Sequence, residues 1–238
     1  MAFGRSVKEL KIYYEDKDVI VVHKPAFVSA QSTRGGEADV ESMIKNYLYS
    51  KDKMANPYVA VVHRLDKPVE GIMVYAKNKQ AAGGLSGQIQ RHEFKKTYLA
   101  VVNGPVDAKE FVRVENYLAK DNVKNISYVV DKDHKEGKKS ILEYKALGTN
   151  KDGNTILEIK LHTGRHHQIR VTMANIGYPL VGDVKYGKQL KDLEESAERL
   201  NNREKENVQL CAYKLEFTHP KSGKIMSFVC DVNENYRI

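Results

Sequence analysis

A chain of 238 residues, 41% hydrophobic and 29% charged, is long enough to bury a core and lacks the low hydrophobicity of a disordered polymer. Its 39 Lys and Arg against 31 Asp and Glu leave a formal charge of +8, which favours a polyanionic partner. Two cysteines without paired spacing argue against a disulfide scaffold or a zinc knuckle, and no apolar run approaches the roughly 18 residues of a membrane helix. The expectation is a soluble, cytoplasmic protein with a single domain over 1–238.

In chain order, period-two and β-branched runs predict strands over residues 11–14 and 19–23. A helix follows over 37–49, where Val40, Met43, Ile44, Tyr47 and Leu48 cluster on one face. Strands are predicted next over 58–63, 72–76, 96–102 and 111–118, and the charged stretch DKDHKEGKK at 131–139 reads as a solvated loop. The runs 140–147 and 155–161 flank TNKDGN, whose Asn, Asp and Gly predict a hairpin. A helix over about 166–176 is marked by Ile169, Met173 and Ile176 at helical spacing and by Gly177 where a C-terminal cap belongs. A third helix, near 190–206, carries only the narrow stripe Leu190, Leu193, Ala197 and Leu200, and reads as part of a charged surface insertion over about 188–207. That insertion holds five basic and six acidic residues, so the basic excess lies elsewhere. Runs 210–218 and 224–230 flank HPKSGK as a second hairpin. Hairpin-joined strands without regular strand-helix alternation predict an α+β fold with a largely antiparallel mixed sheet and a few flanking helices, and not a doubly wound nucleotide fold.

Reactive side chains concentrate at strand ends in three segments: VVHRLDKPVEG at 61–71, RHEFKKTYLAVVNG at 91–104 and LHTGRHHQIR at 161–170. Asp66 lies just past an apolar strand, where a carboxylate can equally be a turn former. HRLD is superficially similar to a kinase catalytic loop, but its Asp is displaced by one residue and no glycine-rich phosphate loop accompanies it. His162 and His166 lie four apart beside His167, yet Thr163 and Gly164 interrupt any helix there and no glutamate completes a metalloprotease motif, so no metal is expected.

HRLDKPVEGIMVYAKN resembles the catalytic motif of RluA-like RNA pseudouridine synthases, with Val69-Glu70-Gly71 where the family usually has Thr-Ser-Gly. DVIVVHKP at 18–25, FKKTYLAVVNG at 94–104, HTGRHHQIRVTMANIGYPLVGDVKYG at 162–187 and LCAYKLEFTHP at 210–220 follow in family order. The resemblance runs from about Ile12 to Val229. It implies a pseudouridine synthase catalytic fold with a central cleft, an RNA substrate, ribosomal or transfer, and no cofactor. By motif, Asp66 corresponds to the catalytic aspartate, Tyr98 to the active-site tyrosine and Arg170 to the basic residue paired with the aspartate. Leu210 corresponds to an apolar residue lining the pocket, although an ordinary core-strand role fits it nearly as well. His63 and Arg64 are placed with the substrate. Arg165, His167 and Gln168 are assigned to the pocket wall or RNA surface, with a loop-bracing role as the alternative.

The residue types suit the reaction. A carboxylate can attack the ribose or take a ribose proton, and it must be ionised to do either. A guanidinium beside it favours the charged form, and a tyrosine offers a face and a hydroxyl to a detached base. The uridine must leave its stack to be reached. Lys95, Lys96, Arg64, Lys67 and Lys185 are candidates for phosphate contacts that offset that cost. Glu70 is expected to point away from the pocket or to bind a basic neighbour. The motifs begin near the N-terminus, so no separate N-terminal RNA-binding domain is expected, and the protein is read as a monomer. The other readings are a catalytically silent RNA-binding protein on the same fold and a hydrolase of another glycosidic bond.

Overall fold

The computed structural model describes residues 10–32, 37–53, 55–187 and 208–238. The helix expected within 188–207 lies outside the described residues. Among the described residues the strands are β1 (Ile12–Glu15), β2 (Val19–Lys24), β3 (Ala60–Val61), β4 (Glu70–Ala76), β5 (Lys95–Val102), β6 (Val112–Asp121), β7 (Ile126–Val130), β8 (Lys138–Thr149), β9 (Thr155–Leu161), β10 (Leu210–Thr218) and β11 (Ile225–Val229). The helices are α1 (Val40–Asp52), α2 (Lys79–Gln90) and α3 (Gln168–Asn175), with one 3-10 turn at Glu234–Tyr236.

All eleven strands join one sheet in the order β1-β2-β4-β10-β5-β9-β8-β6-β7, with β3 added beside β4 and β11 beside β10. Every pairing is antiparallel except that of β4 with β10, where Cys211 and Ala212 lie beside Glu70 and Gly71. Both expected hairpins are present, β8 against β9 and β10 against β11. β2 and β4 are apolar almost throughout because both of their faces are covered. Ile20, Val22, Met73 and Tyr75 point into one core with Ile44 and Leu48 of α1 and Ile169 and Met173 of α3. Val19, Val21, Ile72 and Val74 point into the other, with Ala81 and Leu85 of α2. Cys211 and Cys230 are both buried and unbridged.

Some boundaries differ from expectation. The strand expected over 58–63 shrinks to Ala60–Val61, because the chain must leave the sheet to carry Asp66 into the cleft. α1 begins at Val40 rather than residue 37, since Asp39 is its cap and accepts from the Ser42 amide at 2.9 Å. α2 and β7 were not expected at all.

The parallel joint is closed by a glycine. Gly71 has φ +128°, and a Cβ there would stand 2.5 Å from both the amide nitrogen and the carbonyl oxygen of Ala212. Gly71→Ala should therefore destabilise the chain by roughly 3 kcal/mol or more, from about 1–3 for the backbone and about 1–3 for the overlap. Urea denaturation checks this, and a midpoint equal to that of the parent chain would contradict it.

Candidate active site

The loop between β3 and β4 hangs over the middle of the sheet, held from two sides. His63 accepts at Nε2 from the Val74 amide at 3.1 Å and packs edge-on against Phe94. Burial pushes its pKa down to about 3, so it stays neutral as that acceptor requires. Beyond Asp66, the Lys67 carbonyl accepts from the Phe27 amide at 2.7 Å and from Lys24 Nζ at 3.1 Å. Lys24 is fully buried and also donates to the carbonyls of Val28 at 2.7 Å and Pro25 at 3.0 Å. Desolvation lowers its pKa to about 7 against the pull of Asp66.

So held, Asp66 reaches the floor of a cavity of about 520 Å³. Its side chain is 29% exposed, so protein surrounds it while the mouth of the cleft stays open. Tyr98 comes from β5, Leu210 from the start of β10 and Arg170 from the first turn of α3, and all three line that cavity. Val69 lines it as well, whereas Glu70 accepts from Asn233 Nδ2 at 3.2 Å outside the lining. Tyr98 is buried, and no hydrogen bond within the described residues holds its hydroxyl. Burial, reinforced by Asp66, raises its pKa, so the hydroxyl remains a donor.

The cation beside Asp66 differs from the expected pairing. Arg170 Nη1 lies 3.7 Å from Asp66 Oδ2, while its Nε and Nη2 donate to Asp183 at 2.7 and 2.8 Å. The fork is therefore closed on Asp183, and Asp66 receives only the flank of the guanidinium. Burial outweighs that attraction and raises the Asp66 pKa above its ordinary value, opposed by Arg170 and Lys24. Arg170 thus favours the charged form of Asp66, as expected of a paired guanidinium, but does not offset the burial.

Asp183 also accepts at Oδ1 from the amides of Lys185 and Tyr186, both at 3.1 Å. This folds the segment after α3 so that Tyr186 Oη meets His167 Nδ1 at 2.8 Å. His167 sits at φ +53° as the cap of α3, its Nε2 3.7 Å from Asp66 Oδ2. Burial and the Arg170 charge press its pKa down to about 2, so it is a neutral neighbour and not a counterion. Asp183, Tyr186 and Lys24 are the site residues that sequence reading did not single out.

The remaining candidates divide. Arg64 is exposed at the cleft mouth with no ion pair among the described residues. Gln168 accepts from Thr163 Oγ1 at 2.8 Å and the Arg165 amide at 3.0 Å, and donates to the Ile141 carbonyl at 3.0 Å. Both ends of its amide are thus engaged in bracing the loop. Arg165 ties its Nε to the Lys139 carbonyl at 2.8 Å. The three histidines do not converge on a metal: His162 faces Glu143 at 3.3 Å, and His166 pairs through Nδ1 with Ser127 at 2.9 Å. The one cluster of metal-type ligands among the described residues is Asp16, Asp18 and His219, outside the cavity lining.

A family model described as RNA pseudouridylate synthase matches residues 18–175. An "Uncharacterized RNA pseudouridine synthase" of Aquifex aeolicus is 36% identical over 233 residues, covering 96% of this chain and 71% of that one. "Ribosomal large subunit pseudouridine synthase D" of Neisseria meningitidis serogroup A is 34% identical over 99% of this chain, which spans 61% of its length. The solved structure of human RNA Pseudouridylate Synthase Domain Containing 1 superposes with a TM-score of 0.72 at 23% identity, covering 98% of this chain and 86% of that one, a likeness of fold. The family model's match over residues 18–175 and the 36% identity across nearly the whole chain place it in the RNA pseudouridylate synthase family as an RluA-like member.

Proposed function

We propose that this chain converts a uridine in structured ribosomal RNA of the large subunit to pseudouridine, with Asp66 as the reacting carboxylate. The observation that carries this reading is the convergence of Asp66, Tyr98 and Arg170, from three separate elements, on one cavity of about 520 Å³. That volume lies in the range of small-ligand sites, about 300–1,000 Å³, and suits one flipped nucleoside. The naming of several relatives at 30–34% identity as large-subunit synthases supports the RNA class.

In the reaction the N1–C1′ bond breaks and a C5–C1′ bond forms, while C5 loses a proton to solvent and N1 gains one. Asp66 either attacks the ribose or removes a ribose proton to open the first bond. Tyr98 gives the freed uracil an aromatic wall and a hydroxyl donor, and Leu210 and Val69 keep water from the sugar. Electrons balance without a donor, so the chemistry needs no redox cofactor and no group carrier. No helix among the described residues is long and apolar enough to cross a membrane, and a monomer acting in the cytoplasm completes the proposal.

Binding is expected to fall steeply with salt, each neutralised phosphate on a single strand contributing a slope of about −0.7 in log affinity against log salt. Arg64, exposed beside Asp66, braces the gap left by the flipped uridine, so Arg64→Ala should lose turnover more than affinity. Titration of an RNA hairpin at several salt concentrations, with single-turnover rates at saturating protein, checks both points. A flat salt response would remove the phosphate contacts, and an unimpaired saturating rate would remove Arg64 from flipping.

The reading itself is tested by incubating the purified chain with large-subunit ribosomal RNA carrying tritium at uridine C5. Stoichiometric release at discrete positions supports it. RNA binding without release would favour a silent RNA-binding protein.

A further inference from the structure

Phe27 holds φ +66°, in the left-handed region that a bulky side chain rarely adopts, and the residue is 41% exposed. Glycine would make the same turn without strain. The turn is fixed by the bond from the Phe27 amide to the Lys67 carbonyl, one residue beyond Asp66, so the ring is rigidly indexed to the catalytic loop. An exposed aromatic kept in a strained turn beside a reaction centre has no role in the core and calls for one at the surface.

The ring stands in the wall of a second cavity, of about 590 Å³, which shares Arg64, Leu65, Asp66, His167 and Arg170 with the first. Lys120 of β6 and Lys185 of the segment after α3 complete its rim. Asp66 is the only carboxylate among the described residues that line it. Of the cations there, Lys67 is paired with Glu37 at 2.5 Å and Arg170 with Asp183. Arg64 and Lys120 carry no ion pair among the described residues, and Lys185 Nζ meets only the Asn125 carbonyl, at 3.3 Å. An open ring facing uncompensated cations is the composition of a platform for a stacked base with its phosphate.

We infer that Phe27, Lys120 and Lys185 form a subsite for the nucleotide next to the flipped uridine: its base stacks on Phe27 and its phosphate is met by the two lysines. The inference rests on the proposed function and adds where the strand runs, across Asp66 from one cavity into the other. Stacking reads no base edge, so the subsite tolerates any base and sets the direction of the strand.

The experiment uses RNA hairpins with 2-aminopurine on either side of the target uridine, titrated against the parent chain, Phe27→Tyr and Phe27→Gly. One flanking position should be quenched on binding to the parent chain and to Phe27→Tyr. Phe27→Gly should abolish that quench and weaken binding about 5- to 150-fold, the equivalent of the roughly 1–3 kcal/mol of one base stack. Its thermal midpoint should equal or exceed that of the parent, because glycine relieves the turn. Undiminished affinity and quench in Phe27→Gly, or an equal loss in Phe27→Tyr, overturns the subsite. Quenching by a parent chain that releases no tritium supports the subsite while overturning the isomerase reading.

Discussion

Asp66→Asn should abolish isomerisation, by a factor of about 10²–10⁴ or more, while RNA affinity and fold persist. The amide keeps the shape of the carboxylate and removes the charge and basicity that either mechanism requires. Its effect on stability follows from the raised pKa of Asp66. A carboxyl that holds its proton more tightly when folded than when unfolded gives a stability that falls as pH rises between the two values. Above that window the folded chain carries a desolvated charge, so Asp66→Asn should be at least as stable as the parent at pH 8. The rate of the parent enzyme should likewise rise with pH until Asp66 is ionised. Single-turnover tritium release with parallel RNA titration checks the first claim, and thermal melts across pH the second. A variant that turns over normally would remove Asp66 from the chemistry.

The second large effect is expected at Arg170. Arg170 and Asp183 are a bidentate pair whose side chains are 1% and 0% exposed. Breaking such a pair from one side leaves an uncompensated buried charge, at a cost of about 3–5 kcal/mol. Arg170→Leu should thus lower the melting midpoint by roughly 10 °C in a chain of this size. It should also move the residual activity to higher pH, because Asp66 loses the cation that opposes its desolvation. Asp183→Asn separates the two roles. Its one oxygen can still accept from Arg170 Nη2 and from the amides of Lys185 and Tyr186, but its NH2 opposes Arg170 Nε and the pair loses a charge, so it should also cost stability. The pH profile should instead move to lower pH, because Arg170 stays beside Asp66 and the Asp183 charge that raises its pKa is gone. Arg170→Leu with an unchanged midpoint and pH profile would mean that Arg170 serves neither role.

These contacts show which parts of the molecule were legible in the sequence. α1 was evident because Val40, Ile44 and Leu48 recur at helical spacing and are the residues it buries. α2 was not, since KQAAGGLSGQIQ holds three glycines that argue against a helix. Its support is tertiary. Asn78 caps it through the Ala81 amide at 2.8 Å, Ala81 and Leu85 anchor it, and a Cβ on Gly84 would stand 2.9 Å from Pro220, so one glycine is required by close packing. β7 carries only a short signal: ISYVV is β-branched and follows a turn, but it abuts the charged loop after it.

The site divides along the same line. Asp66, Tyr98 and Arg170 each sit inside a motif that carries the family resemblance, and all three line the cavity. The partner of Arg170 is 13 residues away across a loop, and Lys24 reaches the Lys67 carbonyl 43 residues away. Neither pairing has a periodic signature, although Asp183 and Tyr186 both stand in the quoted GDVKYG. Gln168 fits both readings the sequence left open, since it lines the cavity while its amide braces the loop.

The central claim is that this chain makes pseudouridine in large-subunit ribosomal RNA through Asp66. It is tested most directly by mapping pseudouridine in ribosomal RNA from cells lacking the protein and from the same cells supplied with the parent chain or with Asp66→Asn. One or a few large-subunit positions should be unmodified in the deletion, restored by the parent chain and not by Asp66→Asn. A map unchanged by the deletion, or restored equally by Asp66→Asn, would contradict the account.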